Sequence, residues 1–222
     1  VDDLDAFLAA VKTVLKPDGW FVVEIYYLMS IVKDNLWDMI YHEHLTYLTV
    51  HTLKDLMERR GFHLAYAQKV PVHGGSLRAY FQTGEKPEHF VLQPELVDER
   101  DMDVGGFAER VHETRKEIRR FVRDARKAGK TVIGYSAPAK ATTLLNVCGL
   151  TAKDIQYVVD DAVLKQGKFI PGTGIQIMST EFLDYGRHGA DDYADLFALI
   201  FAWNLADEIA PKLKARGIRA FV

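Results

Sequence analysis

Apolar residues recur at helical spacing over Asp2–Lys16, where Leu4, Phe7, Leu8, Val11 and Leu15 share one face. Pro17-Asp18-Gly19 breaks that pattern as a turn. The next run, Trp20–Tyr27 (WFVVEIYY), is apolar, β-branched or aromatic apart from Glu24 and predicts a buried strand. A charge in such a strand is expected at its end or beside a partner. Residues 28–40 mix Met, Ile and Trp with Lys33, Asp34 and Asp38, which predicts a loop or short helix. Thr49-Val50-His51-Thr52 can cap a helix over His51–Arg60, with Leu53, Leu56 and Met57 inward and Gly61 at its end. Phe62–Val70 and Ser76–Gln82 predict strands. The short Pro71–Gly75 link makes them antiparallel neighbours.

Residues 84–104 are rich in Glu, Asp, Pro and Lys and predict an irregular connection. This places a domain boundary there, with domains at 1–100 and 101–222. Beyond it, Phe107, Val111, Ile118, Phe121, Val122 and Ala125 keep a helical stripe that Gly129 ends. Strands are then expected at Thr131–Tyr135, Ile155–Val159, Ile175–Met178, Leu196–Ala202 and Arg219–Val222. They alternate with helices at Ala139–Val147, Thr180–Tyr185 and Asn204–Arg216, the pattern of a Rossmann-like parallel sheet. Ligands of such sheets sit at the carboxyl ends of the strands. That makes Ser136–Lys140, Asp160-Asp161 and Trp203-Asn204 candidates. Pro138 suits a helix start whatever the turn binds. Ser136 and Lys140 beside that helix N-terminus favour an anion such as a diphosphate. The Gly-bounded loop Lys165–Thr173 could close over it.

Composition narrows the function only a little. The 222 residues are 48% hydrophobic and 27% charged, ordinary for a globular protein. A net charge of -3 leaves no electrostatic footprint for nucleic acid. The basic run Arg115–Lys130 is punctuated by Glu and Asp and reads as a solvated helix face. The single Cys148 can form neither an internal disulfide nor a CxxC zinc pattern, and its apolar surroundings predict a buried, inert thiol. No apolar run reaches membrane-spanning length and no signal peptide is seen, so a cytoplasmic protein without a membrane partner is expected. The first helix follows Val1 directly, with no strand before it. The chain therefore reads as the back part of a longer protein.

The densest chemistry is Tyr41-His42-Glu43-His44. A phenol, a carboxylate and two imidazoles suit acid–base work. If the stretch is extended, both imidazoles share one face, which would also suit a metal with His51, His63 or His73 as a further ligand. A solvated surface turn is the plain alternative. The residues alone do not choose between His42 and His44. His73-Gly74-Gly75-Ser76 is either a glycine-permitted turn or a place where backbone N–H groups approach an anionic ligand. Arg78 suits a salt bridge or a diphosphate equally.

Several of these stretches resemble a known family. Leu15–Phe21 (LKPDGWF) is similar to the helix-to-strand-five junction of class I S-adenosylmethionine methyltransferases, whose sheet ends in an antiparallel pair. Tyr41–His44, His73–Arg78 (HGGSLR) and Gly134–Lys140 (GYSAPAK), in that order, resemble the sugar C-methyltransferases, which act on nucleotide-activated deoxysugars. The resemblance runs along nearly the whole chain. It implies an α/β chain, a partial class I methyltransferase fold followed by a Rossmann-like parallel-sheet domain. It implies S-adenosylmethionine as cofactor and a nucleotide-activated keto-deoxysugar as substrate, with no metal. His44 would be the base, supported by Glu43 and Tyr41. Ser136, Lys140 and Asn204 would help hold the nucleotide-sugar, alongside Gly74, Gly75, Ser76 and Arg78. The family's Gly-rich cofactor turn, the acidic residue after its second strand and its N-terminal zinc-binding module are absent. The expectation is thus a fragment lacking the cofactor-binding half and inactive without it. A non-catalytic nucleotide-sugar-binding module and a His-ligated metal hydrolase are the alternatives.

Overall fold

Asp3 accepts a hydrogen bond from the Ala6 amide and starts α1 (Leu4–Val14). The Pro17–Gly19 turn leads into β1 (Phe21–Tyr26), followed by α2 (Leu28–Lys33) and a 3-10 turn at Trp37–Met39. Next come α3 (Val50–Glu58), β2 (His63–Val70), β3 (Ser76–Gln82), the two-residue β4 (Val91–Leu92) and the long α4 (Val104–Lys127). An alternating series follows: β5 (Thr131–Tyr135), α5 (Ala139–Cys148), β6 (Val158–Val159), β7 (Ile177–Met178) and α6 (Phe182–Tyr185). It closes with β8 (Leu196–Ile200), α7 (Ala206–Ala215) and β9 (Arg219–Phe221). This computed structural model describes residues 1–94, 96, 99–185 and 196–222. Two compact units emerge: Val1–Leu36 with His44–Phe107, and Trp37–Glu43 with Ala108–Val222.

The first unit is built on a sheet of order β1-β3-β2-β4. β3 pairs antiparallel with both β1 and β2, as the short turn predicts, and β4 lies parallel to β2. Leu77, Ala79 and Phe81 of β3 face a core with Leu8, Leu53, Met57 and Phe62. β1 departs from the expected buried strand. Among the described residues it pairs only with β3, so one face is covered while Val22 stays 45% and Trp20 51% exposed. Glu24 finds its partner across the strand, because the register sets it opposite Arg78. Leu4 and Phe7 of α1 likewise remain exposed, and only Leu8 is fully buried.

Residues 84–104 are more than a connection. β4 extends the sheet there, and Glu99 caps α3 from a distance. Its carboxylate accepts from the Val50 and His51 amides, bonds His51 Nδ1 at 2.6 Å and accepts the Tyr27 hydroxyl at 3.1 Å. The first amides of a helix have no partner within it, and a carboxylate there satisfies them and meets the positive end of the dipole. Thr49 and Thr52 add a reciprocal capping box.

The second unit holds a wholly parallel sheet of order β7-β6-β5-β8-β9. Ile133, Val159, Leu196, Ala198 and Ile200 pack with Leu183, Ile209 and Leu213. Cys148 is fully buried, and that burial pushes its thiol up to about 11. The segment Trp37–Glu43, here called the strap, belongs to this unit, whereas a boundary at residue 100 would assign it to the first part. Trp37, Asp38 and Met39 are buried, and Asp38 accepts a hydrogen bond from the Trp203 indole. No helix among the described residues is long and apolar enough to cross a membrane.

Candidate active site

The register of the first sheet brings three chain segments to one end. Tyr26, the last residue of β1, lies opposite Ser76, and Ser76 lies opposite Val70. The β2–β3 turn is therefore level with the carboxyl end of β1. His73, Gly74 and Gly75 in this turn all have positive φ, at 51°, 83° and 123°. A Cβ on Gly75 would meet Lys69 Cε at 2.6 Å and Ser30 Oγ at 2.7 Å, so the turn admits no side chain there. Ser76 is buried and donates its hydroxyl to the Val72 carbonyl at 3.1 Å. Ser30 Oγ is buried without a hydrogen-bond partner among the described residues.

His44 arrives at this same end. Its ring packs edge-on against Tyr26 with centroids 4.4 Å apart, and His73 contacts Tyr26 at 5.7 Å. Sequence reasoning missed Tyr26 altogether and named His73 as part of the turn or as a further metal ligand, not as a partner of Tyr26. Strand alternation places Tyr26 on the same face as Glu24, and its pairing with Ser76 was the signal available. Arg78 lies further along β3 and gives its guanidinium to Glu24, at 2.7 Å and 2.9 Å, so the salt-bridge reading is the one the structure forms.

The stretch Tyr41–His44 is not extended. His42 and Glu43 form a turn and are exposed, while Tyr41 and His44 are half-buried. Two imidazoles on one strand face therefore do not arise. Tyr41–Glu43 falls in the second unit and His44 in the first. Among the described residues no three His, Cys, Asp or Glu side chains gather as a metal site. His51, one candidate third ligand, is engaged by Glu99.

In the second unit the strand order reverses between β5 and β8, and the crevice at their carboxyl ends is where parallel sheets bind ligands. Ser136 leaves β5 with a left-handed φ of 68° and donates its amide to the Val159 carbonyl at 2.8 Å. Asp160 accepts the Ala137 amide at 2.6 Å and the Ala162 amide at 2.8 Å. Lys165, from the predicted closing loop, reaches both Asp160 and the Ala137 carbonyl, at 3.3 Å and 3.0 Å. Lys140, in the first turn of α5, is only 8% exposed. Its ammonium donates to Asn204 Oδ1 at 2.7 Å and lies 3.9 Å from the centre of the Trp203 ring. The Trp203 indole N–H donates to Asp38 Oδ2 at 2.7 Å. Burial lowers the Lys140 pKa, against the pull of the Asp38 charge. Burial raises that of Asp38, opposed by the Trp203 hydrogen bond and by Lys140. The structure thus brings Lys140 and Asn204 into contact, sets Ser136 one turn earlier, and adds Asp38, which lies 165 positions from its Trp203 partner.

These residues do not make a cradle for S-adenosylmethionine. β1 runs through Tyr27 straight into α2, with no Gly-rich turn. The β5–α5 turn carries Ser136, Ala137 and Pro138 and is already closed by Asp160.

Comparison with known proteins is consistent across the chain. A family model described as the C-methyltransferase C-terminal domain matches residues 71–220, and one described as a methyltransferase domain matches residues 1–67. The C-methyltransferase NovU of Streptomyces niveus is 37% identical over 218 residues, covering 94% of this chain and 50% of NovU. The chain therefore spans about half the length of the curated relative it matches.

Proposed function

The chain belongs to the C-methyltransferase family, and from that premise we propose that it supplies the base and the nucleotide-sugar site of an enzyme that C-methylates a keto-deoxysugar nucleotide. The observation that carries this reading is the His44 ring held against Tyr26 beside the His73–Ser76 turn. Carbon methylation needs a carbon nucleophile, and a C–H next to a ketone is acidic enough for a positioned base to remove. Imidazole suits the task because it titrates near neutral pH. His44 takes the proton, Glu43 sustains the basicity of the site, and the Tyr41 phenol donates to the oxygen where charge builds up. S-adenosylmethionine, the methyl donor in this reading, would supply an electrophilic methyl group. Among the described residues the turn after β1 and the β5–α5 turn offer no Gly-rich cradle for it.

Lys140 at the α5 N-terminus neutralises the diphosphate, with Ser136 and Asn204 as hydrogen-bonding neighbours. In the first unit, the Gly74-Gly75 backbone with Ser76 is the candidate contact for an anionic ligand. Arg78 contributes only if a ligand displaces Glu24. Residues 1–100 are then the end of a class I methyltransferase domain and 101–222 its Rossmann-like C-terminal domain. Their partner in this reading is the cofactor-binding half of the enzyme, and the site of action is the cytoplasm.

The test is His44→Ala in the full-length parent enzyme. It should still bind the sugar nucleotide while turnover falls about 10²–10⁴-fold, the usual worth of a general base. Turnover near that of the unaltered enzyme would sink the assignment. A second reading, a nucleotide-sugar-binding module without catalysis, draws on the buried Lys140–Asn204 pair at the carboxyl end of the parallel sheet. Calorimetry on the 222-residue chain bears on it: we expect thymidine diphosphate to bind and S-adenosylmethionine not to.

A further inference from the structure

We infer that Asp38 and Trp203 are positioning residues that tie the strap carrying Tyr41 and Glu43 to the charge at Lys140, so that an anion in the crevice resets the strap. The inference rests on the crevice being the nucleotide-sugar site. Its basis is a chain of contacts within the second unit. The Lys140 ammonium is almost wholly buried and is balanced by the Asn204 oxygen, the face of Trp203 and, further off, the Asp38 carboxylate. The edge of the same indole donates to Asp38. Asp38 is itself 5% exposed, between the buried Trp37 and Met39 that anchor the strap.

A buried charge is tolerated only while it is balanced. A phosphate arriving at Lys140 competes for the ammonium and draws it away from the Trp203 face. It also brings a second negative charge towards Asp38, where the low local dielectric strengthens the repulsion. Asp38 must then shift, and it sits three residues before Tyr41 and six before His44. Neither Asp38 nor Trp203 needs to touch the reacting atoms. Their part is to make the placing of Tyr41 and Glu43 depend on whether substrate is bound.

Hydrogen exchange of the 37–43 amides in the 222-residue chain tests this, with and without thymidine diphosphate. In the unaltered protein, thymidine diphosphate should change strap exchange about fivefold or more, the scale of a typical coupling between sites. Trp203→Phe keeps the ring but loses the donor. It should speed strap exchange about tenfold while β5 and α5 stay protected, as loss of a charge-assisted hydrogen bond allows. Asp38→Asn keeps an acceptor for the indole but loses the charge. Its strap should exchange up to about fivefold faster, as loss of the charge part of that bond allows, and no longer respond to thymidine diphosphate, a split that a merely structural role would not give. An unchanged strap in Trp203→Phe, or a full ligand response in Asp38→Asn, overturns the inference. If thymidine diphosphate fails to bind the unaltered chain in calorimetry, the nucleotide-sugar reading falls. The coupling is then decided without ligand by Lys140→Met, which should alter strap exchange about fivefold and whose silence would overturn it.

Discussion

At the scale of single residues, two backbone positions separate what a turn needs from what a ligand needs. Ser136 holds φ at 68°, a left-handed geometry that costs a residue with a Cβ about 1–2 kcal/mol. Ser136→Gly should therefore raise the unfolding free energy by about 1 kcal/mol in urea titrations. It should also weaken thymidine diphosphate binding about threefold to tenfold, the worth of one hydrogen bond from the lost hydroxyl. Gly75 is the converse case. At φ 123°, with Ser30 Oγ and Lys69 Cε where a Cβ would go, Gly75→Ala should cost about 1–3 kcal/mol. Both turns were legible as turns from Gly, Pro and Ser content. The sign of φ at Ser136 was not, because nothing in Tyr135-Ser136-Ala137-Pro138 announces a left-handed serine. It follows from the pull of the Asp160 carboxylate on the Ala137 amide and of the Val159 carbonyl on the Ser136 amide.

At the scale of elements, α3 shows how a polar stretch can be mistaken for a linker. Thr49–Thr52 was readable as a cap, and it is one. Glu99 was not readable, because it acts on the Val50 amide from 49 positions further along the chain. Acidic composition describes residues 84–104 correctly but says nothing about whether a given carboxylate meets solvent or the free amides of a helix. The energetic consequence depends on pH. Burial of Glu99 opposes its charge, but the hydrogen bonds from His51 and Val50 outweigh it and leave the pKa below the ordinary glutamate value. A depressed carboxyl pKa contributes stability that is present above the unfolded-state value of about 4.3 and fades as pH falls through the folded value. Glu99→Gln should thus lower stability by about 1–3 kcal/mol at pH 7, as loss of charged hydrogen bonds does. The gap between the two proteins should close as titrations are repeated below pH 4.3, and a gap independent of pH would count against the cap.

At the scale of the whole molecule, the two fold classes were legible from periodicity: an antiparallel ending in one part, β/α alternation in the other. The grouping of Trp37–Glu43 with the second unit was not. It depends on one indole and one carboxylate 165 positions apart, and no local pattern encodes such a pairing. The two units should also differ in resilience. The first rests on a sheet whose β1 leaves Trp20 and Val22 exposed, an open edge and apolar surface that invite local opening. The second has a five-stranded sheet with fully buried Ile133, Val159 and Ala198 at its centre. Urea unfolding followed by pulse proteolysis should therefore show two steps, with residues before about 105 cleaved first. Trp37–Glu43 should be lost only with the second step. Thymidine diphosphate at 100 times its dissociation constant should move that second step alone, by about 2.7 kcal/mol, because a ligand stabilises only the state that binds it. A single transition shifting as one under ligand would mean that the first unit does not open independently, and that the exposed face of β1 costs less than its area implies.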